Sequence, residues 1–102
     1  MSISRNTTSD NRSVTISISD RFDFSLHQDF RDSYRDMKEG GTRFALDLRN
    51  ACYMDSSALG MILLLKDHAE SIGGELVIQK PNEVIRKILD IAKFDRFVTI
   101  EE

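Results

Sequence analysis

The sequence has little of what marks secreted or membrane-spanning proteins. Its single cysteine, Cys52, has no partner for an intrachain disulfide, and the polar first residues lack the apolar core of a secretion signal. No run approaches the roughly 18 consecutive apolar residues that a bilayer span requires, and the most apolar stretch, 58–65, predicts a buried element instead. We therefore expect a protein of the reducing cytoplasm that is not directly inserted in a membrane.

Basic residues are too few and too scattered for a nucleic-acid-binding surface. The chain carries 14 Lys and Arg against 17 Asp and Glu, for a net charge of -3. Nucleic acid requires clustered cations that neutralise phosphates, so it is not an expected partner. The sequence also has no Cys/His cluster with metal-ligand spacing, and we expect neither a metal nor a cofactor.

The 102 residues are enough for one domain with its own core. Residues 1–11 are dominated by Ser, Thr, Asn and Asp, which predicts a flexible N-terminal segment that can include a short edge strand. Regular apolar periodicity begins after this segment. We therefore assign residues 12–102 to a single folded domain.

Strand and helix patterns alternate along residues 12–102. The run "SVTISIS" has the period of a half-buried strand, and the capping-box spacing of Ser25 and Gln28 predicts a helix that ends at Gly40. The later segments are, in order, a strand "TRFALDL" covered on both faces, a helix, a strand "ELVIQ", a helix capped by Asn82 and a last strand "FVTI". This order predicts an α/β domain, with one sheet and helices packed on it.

The stretch "MDSSALG", residues 54–60, joins the second apolar strand to the most apolar helix. In α/β units the loop after a strand is the usual functional edge, and the next helix presents free N–H groups there. One interpretation is that Ser56 or Ser57 caps the helix while Asp55 complements its dipole. The other is that one hydroxyl takes part in chemistry while the second caps. Spacing alone leaves both open.

The residues around the junction do not favour catalysis by this protein. The sequence has no G-x-S-x-G elbow, and His27 and His68 fall in helical segments, where we expect surface or boundary positions. Cys52 has no neighbouring cation to activate it, and we expect it to pack near the strand end. We therefore expect a protein that is not an enzyme, although a serine at such a corner can be modified by one.

The run "FALDLRNACYMDSSALGMILLLKDHAESIGGELVIQ" closely resembles the core of the STAS domain family, specifically the anti-sigma factor antagonists. The family signature is a strand, a D-S-S/T-G-L-G loop, a helix and a "GG" before the next strand, and the match extends from about Val14 to Ile100. The resemblance implies a STAS-like domain with a mixed sheet of about four to five strands. It places the regulatory phosphoserine on Ser56, a flanking acid on Asp55 and the second hydroxyl on Ser57, which we assign as the helix cap.

The segment "DRFDFSLHQDF" resembles the family's first loop and helix. Asp23 falls where an acidic contact residue often lies, whereas Phe22 and Phe24 either anchor the turn in the core or dock a partner. Ala58 stands where the family often has Gly, which would alter how closely a partner backbone approaches. The residues that the resemblance implies for partner binding are Phe22, Asp23, Phe24, Asp55, Ser56, Ser57 and Ala58.

The resemblance implies a phosphorylation-controlled partner switch. The unphosphorylated protein would bind an anti-sigma factor that is also a serine kinase, phosphorylation of Ser56 would release it, and a PP2C-type phosphatase would restore binding. Two alternatives remain: an unphosphorylated accessory subunit of an ABC-type lipid transport complex, and a module that senses an anion or nucleotide. The residue pattern of the first loop also resembles that of single-domain members from a proteobacterial branch of the family, which act in partner-switching circuits that control biofilm, motility or stress.

Overall fold

Five strands form one mixed sheet whose spatial order follows the order of the sequence. The computed structural model describes residues 2–10 and 12–102. The strands are β1 (Ile3–Thr7), β2 (Ser13–Phe22), β3 (Arg43–Met54), β4 (Glu75–Gln79) and β5 (Thr99–Glu101). β1 pairs antiparallel with β2, and every later pair is parallel. The predicted α/β fold with a mixed sheet of four to five strands is confirmed, and the segment before residue 12 contributes β1 as an edge strand.

Three helices connect the parallel strands: α1 (His27–Asp32), α2 (Ser56–Ser71) and α3 (Glu83–Ile91). The predicted cap of α3 is confirmed, because the side chain of Asn82 accepts a hydrogen bond from the Ile85 N–H at 3.0 Å. Within the two described ranges, no helix is both long enough and apolar enough to cross a bilayer.

The prediction for α1 was wrong at both ends. A 3₁₀ turn, Phe24–Leu26, precedes the helix, and the carboxylate of Asp23 caps that turn by accepting from the Ser25 N–H at 3.0 Å. The helix ends at Asp32 rather than near Gly40. The hydroxyl of Ser33 donates to the Phe30 carbonyl at 2.6 Å, and such local side-chain bonds compete with the helical ladder.

The long strand β3 extends beyond the centre of the sheet and ends at Met54, the first residue of the stretch "MDSSALG". Only its first half pairs with β4, whereas its pairing with β2 continues to its last residue, where Phe22 lies opposite Met54. The 12 residues of β3 face the 10 of β2, because two irregularities lengthen β3. Its core-facing side chains, Leu48, Ala51 and Met54, are consequently three residues apart instead of two.

The core lies between the sheet and the three helices. Its largest fully buried side chains are Ile16, Ile18, Phe22, Phe30, Phe44, Leu46, Leu48, Met54, Ile62, Leu65, Ile78 and Ile85. α2 contributes along most of its length, from Ala58 to Ala69. The first turn of α2, and with it the serine pair, is therefore seated on the core.

Candidate functional site

Two loops meet at the carboxyl edge of β2 and β3. Phe22 and Met54 lie opposite each other at the ends of these parallel strands, so Asp23 and Asp55, one residue later, leave the sheet side by side. The carboxylate of Asp23 is close enough to oppose ionisation of Asp55. The register therefore brings together two acids that are 32 positions apart in the sequence, and we call this region the β2–β3 corner: Asp23, Phe24, Asp55, Ser56 and Ser57.

Asp55 is the N-cap of α2. Its backbone is extended (φ -109°, ψ -175°), and its Oδ1 accepts hydrogen bonds from the Ala58 N–H at 3.0 Å and from the Ser57 hydroxyl at 2.6 Å. These two bonds, the Ser57 bond first, hold the pKa of Asp55 below its ordinary value even though Asp23 opposes them. The carboxylate is therefore ionised near neutral pH.

The assignment of Ser57 as the cap was wrong. The capping residue is the last with non-helical backbone, which here is Asp55, whereas Ser57 already lies inside α2. The Ser57 hydroxyl instead donates to the capping carboxylate and fixes its orientation. Asp55 is thus a structural cap as well as a flanking acid.

Ser56 is the first residue of α2 and is exposed. Within residues 2–10 and 12–102, no hydrogen bond engages its hydroxyl, in contrast to the half-buried and bonded Ser57. Only one of the two adjacent hydroxyls is thus available to a modifying enzyme or a partner. The phosphorylation of Ser56 itself stays a prediction.

The first loop repeats the arrangement of the second. Asp23 accepts from the Ser25 N–H at 3.0 Å and from the Ser25 hydroxyl at 2.5 Å, and these bonds lower its pKa. Arg21 lies 3.4 Å from the same carboxylate, and its guanidinium sits 4.7 Å from the ring centre of Tyr53. Arg21 and Tyr53 adjoin the β2–β3 corner and could not be identified from the sequence, because their side chains meet only through the irregular β2–β3 register.

Two residues predicted to bind a partner are buried instead. Phe22 and Ala58 are both 0% exposed. Phe22 points into the core, where its ring lies 5.1 Å from that of Phe30, and Ala58, in the first turn of α2, faces the core. Phe24, by contrast, is 60% exposed and stacks on His27 with ring centroids 4.3 Å apart. Of the two aromatic residues, only Phe24 can contact a partner.

Among the remaining candidate groups, the two histidines lie where they were expected and the cysteine does not. Cys52 is exposed rather than packed, because it is the extra residue at the second irregularity of β3. His27 is on the surface and His68 at the boundary of the core, where its Nε2 lies 2.8 Å from the Met37 carbonyl oxygen. Among the described residues, no group of three or more acidic, His or Cys side chains is arranged to hold a metal.

Comparisons with known sequences agree with this architecture. The family model described as "Mlab, STAS domain" matches residues 6–100. A STAS-domain containing protein of Pseudomonas aeruginosa (strain UCBPP-PA14) is 44% identical over 100 residues, which cover 98% of this chain and 99% of that protein. The match therefore extends over essentially the whole of both proteins.

Solved structures share the fold at low sequence identity. TM1081 of Thermotoga maritima superposes with a TM-score of 0.79 at 21% identity, covering 98% of this chain and 86% of that one. The anti-sigma factor antagonist SpoIIAA in its unphosphorylated form gives 0.79 at 16% identity, covering 96% and 86%. A sulfate transporter family protein from Wolinella succinogenes gives 0.78 at 13%, covering 94% and 80%. The same fold thus occurs in a regulatory protein and in a protein of a transporter family.

Proposed function

The chain belongs to the STAS domain family, and from that premise we propose that it is an anti-sigma factor antagonist whose partner binding is switched by phosphorylation of Ser56. One observation carries the proposal: at the start of α2, Ser57 is bound to the capping carboxylate while the exposed Ser56 hydroxyl is not hydrogen-bonded within the described residues. Similarity to the fold of SpoIIAA supports the antagonist role.

We propose that the protein is a substrate of a kinase rather than an enzyme. The structure pairs no base with the Ser56 hydroxyl within the described ranges, and the carboxylate beside it is already committed to capping α2. An anti-sigma factor with serine kinase activity would bind the unphosphorylated corner, and a PP2C-type serine phosphatase would reverse the modification. These partners would place the protein in cytoplasmic signalling to transcription.

Phosphorylation would change the charge of the corner without unfolding α2. A phosphate brings about -1.5 to -2 charges, and the first N–H groups of a helix accommodate such an anion. It would stand beside Asp55 and near Asp23, whose carboxylates are already stabilised in their ionised form. The corner would then present roughly twice its former negative charge to a docking partner.

The loss of partner affinity on phosphorylation depends on how completely the partner excludes water from the corner. A phosphate of charge about -1.5 placed ~5 Å from one partner carboxylate is repelled by about 1 kcal/mol at the dielectric of water, and by about 5 kcal/mol at an effective dielectric of ~20. Since each 1.4 kcal/mol is about tenfold in affinity, the loss ranges from roughly one decade to more than three. A partner that closes over the corner would therefore be switched most strongly.

The direct test is modification by a candidate anti-sigma factor kinase with ATP, followed by intact mass and peptide mapping. We expect one phosphate on the wild type, one on Ser57→Ala, and none on Ser56→Ala. Ser57→Ala is the matched control because it removes the neighbouring hydroxyl and leaves Ser56 in place. Phosphate that persists in Ser56→Ala and disappears from Ser57→Ala would exclude the assignment.

Binding to the same partner tests the switch itself. Ser56→Ala should bind as the unmodified wild type does, whether or not ATP is present. Ser56→Asp carries one charge rather than about 1.5, and should bind more weakly by roughly fourfold to a few hundredfold. Equal binding by the two variants would exclude electrostatic control by Ser56.

The occurrence of this fold in a sulfate transporter family protein leaves one alternative open, an accessory subunit of an ABC-type lipid transport complex. In that case the corner would dock permanently on a membrane ATPase. Affinity purification would then recover the ATPase with wild type and Ser56→Ala alike, and Ser56 would stay unmodified in cells.

A further inference from the structure

A groove of about 780 Å³ runs between α2 and the segment formed by α1 and the turn that follows it. Apolar side chains make up most of its lining, and we call it the α1–α2 groove. The apolar side chains that line it are Phe24, Phe30, Tyr34, Met61, Leu64 and Ile72. Its volume falls in the range of about 300–1,000 Å³ that small-molecule sites occupy.

One stripe of α2 forms a wall of the groove. Met61, Leu64 and His68 recur at the three- and four-residue spacing of one helix face. Leu64 is 60% exposed, although its neighbours on the helix, Ile62 and Leu65, are fully buried. An exposed leucine at the lip of a concave apolar surface provides contact area for an apolar ligand.

The opposite wall is cationic. Arg31, Arg35 and Lys38 line it, and none of the described lining residues is acidic. Arg35 is paired with Asp32 at 3.3 Å, whereas Arg31 and Lys38 form no ion pair within residues 2–10 and 12–102. On a chain whose net charge is -3, this wall is a local concentration of positive charge next to apolar surface.

Tyr34 adds a neutral donor between the two walls. The residue is 6% exposed and lines the groove, and its hydroxyl has no hydrogen-bond partner among the described residues. Burial raises the pKa of Tyr34, with Arg31 opposing, so the group stays a protonated hydroxyl at neutral pH. Among the described residues no fully buried side-chain polar atom lacks a partner, so this hydroxyl reaches solvent although the residue is nearly buried. It is therefore available to a ligand atom.

We propose that the α1–α2 groove binds a free fatty acid, a single apolar chain that ends in a carboxylate. The carboxylate would be held by Arg31, Lys38 and the Tyr34 hydroxyl, since guanidinium and ammonium groups form charge-assisted hydrogen bonds with carboxylates. The chain would lie along Met61 and Leu64. A concave groove with one cationic wall suits a single extended amphiphile better than it suits the flat surface of a membrane. The site does not involve Ser56, although Phe24 belongs both to the groove and to the β2–β3 corner.

The test is calorimetric titration of the intact protein with dodecanoate below its critical micelle concentration, at neutral pH. We expect saturable binding of one molecule, and no binding of dodecyltrimethylammonium, which has the same chain and the opposite charge. Leu64→Glu, which places a like charge at an exposed position on the groove, should weaken dodecanoate binding about tenfold or more. The double substitution Arg31→Gln with Lys38→Gln should weaken it while circular dichroism stays unchanged.

Ile91→Glu is the matched control, because Ile91 is an 83% exposed apolar residue on α3 and outside the groove. It should bind dodecanoate as the wild type does. The proposal is overturned if dodecanoate does not bind, if the cationic amphiphile binds equally well, or if Leu64→Glu and Ile91→Glu behave alike. Binding only to anionic lipid vesicles, or only to an acidic amphipathic peptide, would also overturn it, because the groove would then be a docking surface of another kind.

Discussion

Replacing Asp55 by alanine should destabilise the protein more than either serine substitution beside it. The capping carboxylate accepts both the Ala58 N–H and the Ser57 hydroxyl. Asp55→Ala removes both bonds and leaves two donors at the start of α2 without their partner. Ser57→Ala removes only the hydroxyl, and Ser56→Ala removes a side chain that makes no hydrogen bond within the described residues.

The expected costs follow from these contacts. Loss of an N-cap costs about 0.5–2 kcal/mol, and we expect Asp55→Ala in the upper half of that range because two bonds are lost. A single side-chain hydrogen bond contributes about 0.5–1.5 kcal/mol, so Ser57→Ala should cost about 0.5–1 kcal/mol. Ser56→Ala should stay within about 0.5 kcal/mol of the wild type. For a domain of this size, each kcal/mol shifts the melting temperature by about 4–8 °C.

Urea unfolding followed by far-ultraviolet circular dichroism would measure the series, provided that the slopes with denaturant agree among variants. Asp55→Asn is the matched control, since Asn caps helices about as well as Asp and removes only the charge. It should be closer to the wild type than to Asp55→Ala. A Ser57→Ala variant less stable than Asp55→Ala would refute the assignment of the cap, as would Asp55→Asn and Asp55→Ala of equal stability.

Three further outcomes are expected. Because the pKa of Asp55 is lowered in the folded state, its charge contributes fully to folding stability above the unfolded-state pKa of about 3.9, and this contribution is lost as the pH falls through the lower folded-state pKa. The stability of the wild type relative to Asp55→Asn should therefore fall between neutral pH and pH ~3. A difference that stays constant with pH would contradict this. Phe22→Ala should cost about 3–5 kcal/mol because the ring is fully buried, whereas Phe24→Ala should cost under about 1 kcal/mol; equal costs in urea unfolding would contradict their opposite exposures. Gly74→Ala should destabilise the protein by about 3 kcal/mol or more, because a Cβ there would overlap the backbone oxygen of Thr42. Gly60→Ala lies in open space on α2 and should stabilise the protein by about 0.5–1 kcal/mol. Melting temperatures that shift in the same direction for both variants would refute this account.

Much of the fold could be predicted because its strands and long helices have clear periods. The alternation at Val14, Ile16 and Ile18 corresponds to β2, and the apolar run that follows "MDSS" corresponds to α2. Asn82 could be identified as a cap because the amide side chain stands alone at a helix start. At "DSS", three candidates stand together, and only the backbone conformation separates them: Asp55 is extended and Ser57 is helical.

Two of the features that the sequence did not predict have a common cause in the second half of β3. Its core-facing residues are spaced by three, a pattern that matches neither a regular strand nor a helix, so the strand could not be followed to Met54. The exposure of Cys52 and the contact between Arg21 and Tyr53 both depend on this irregular register. Phe22 and Phe24 are likewise two residues apart, which suggests a shared environment, but β2 ends between them and only Phe22 keeps the orientation of the strand.

The two additional residues in β3 show how a paired strand can take up extra length without turning its core residues outward. At each irregularity two residues of β3 lie opposite a single residue of β2, so the facing of the strand is retained beyond it. Leu48, Ala51 and Met54 therefore all face the core although they are three residues apart. Deleting one additional residue, Arg49 or Cys52, would restore regular alternation at that point and leave Met54 in the core. Related sequences should therefore tolerate length differences of a single residue at either irregularity.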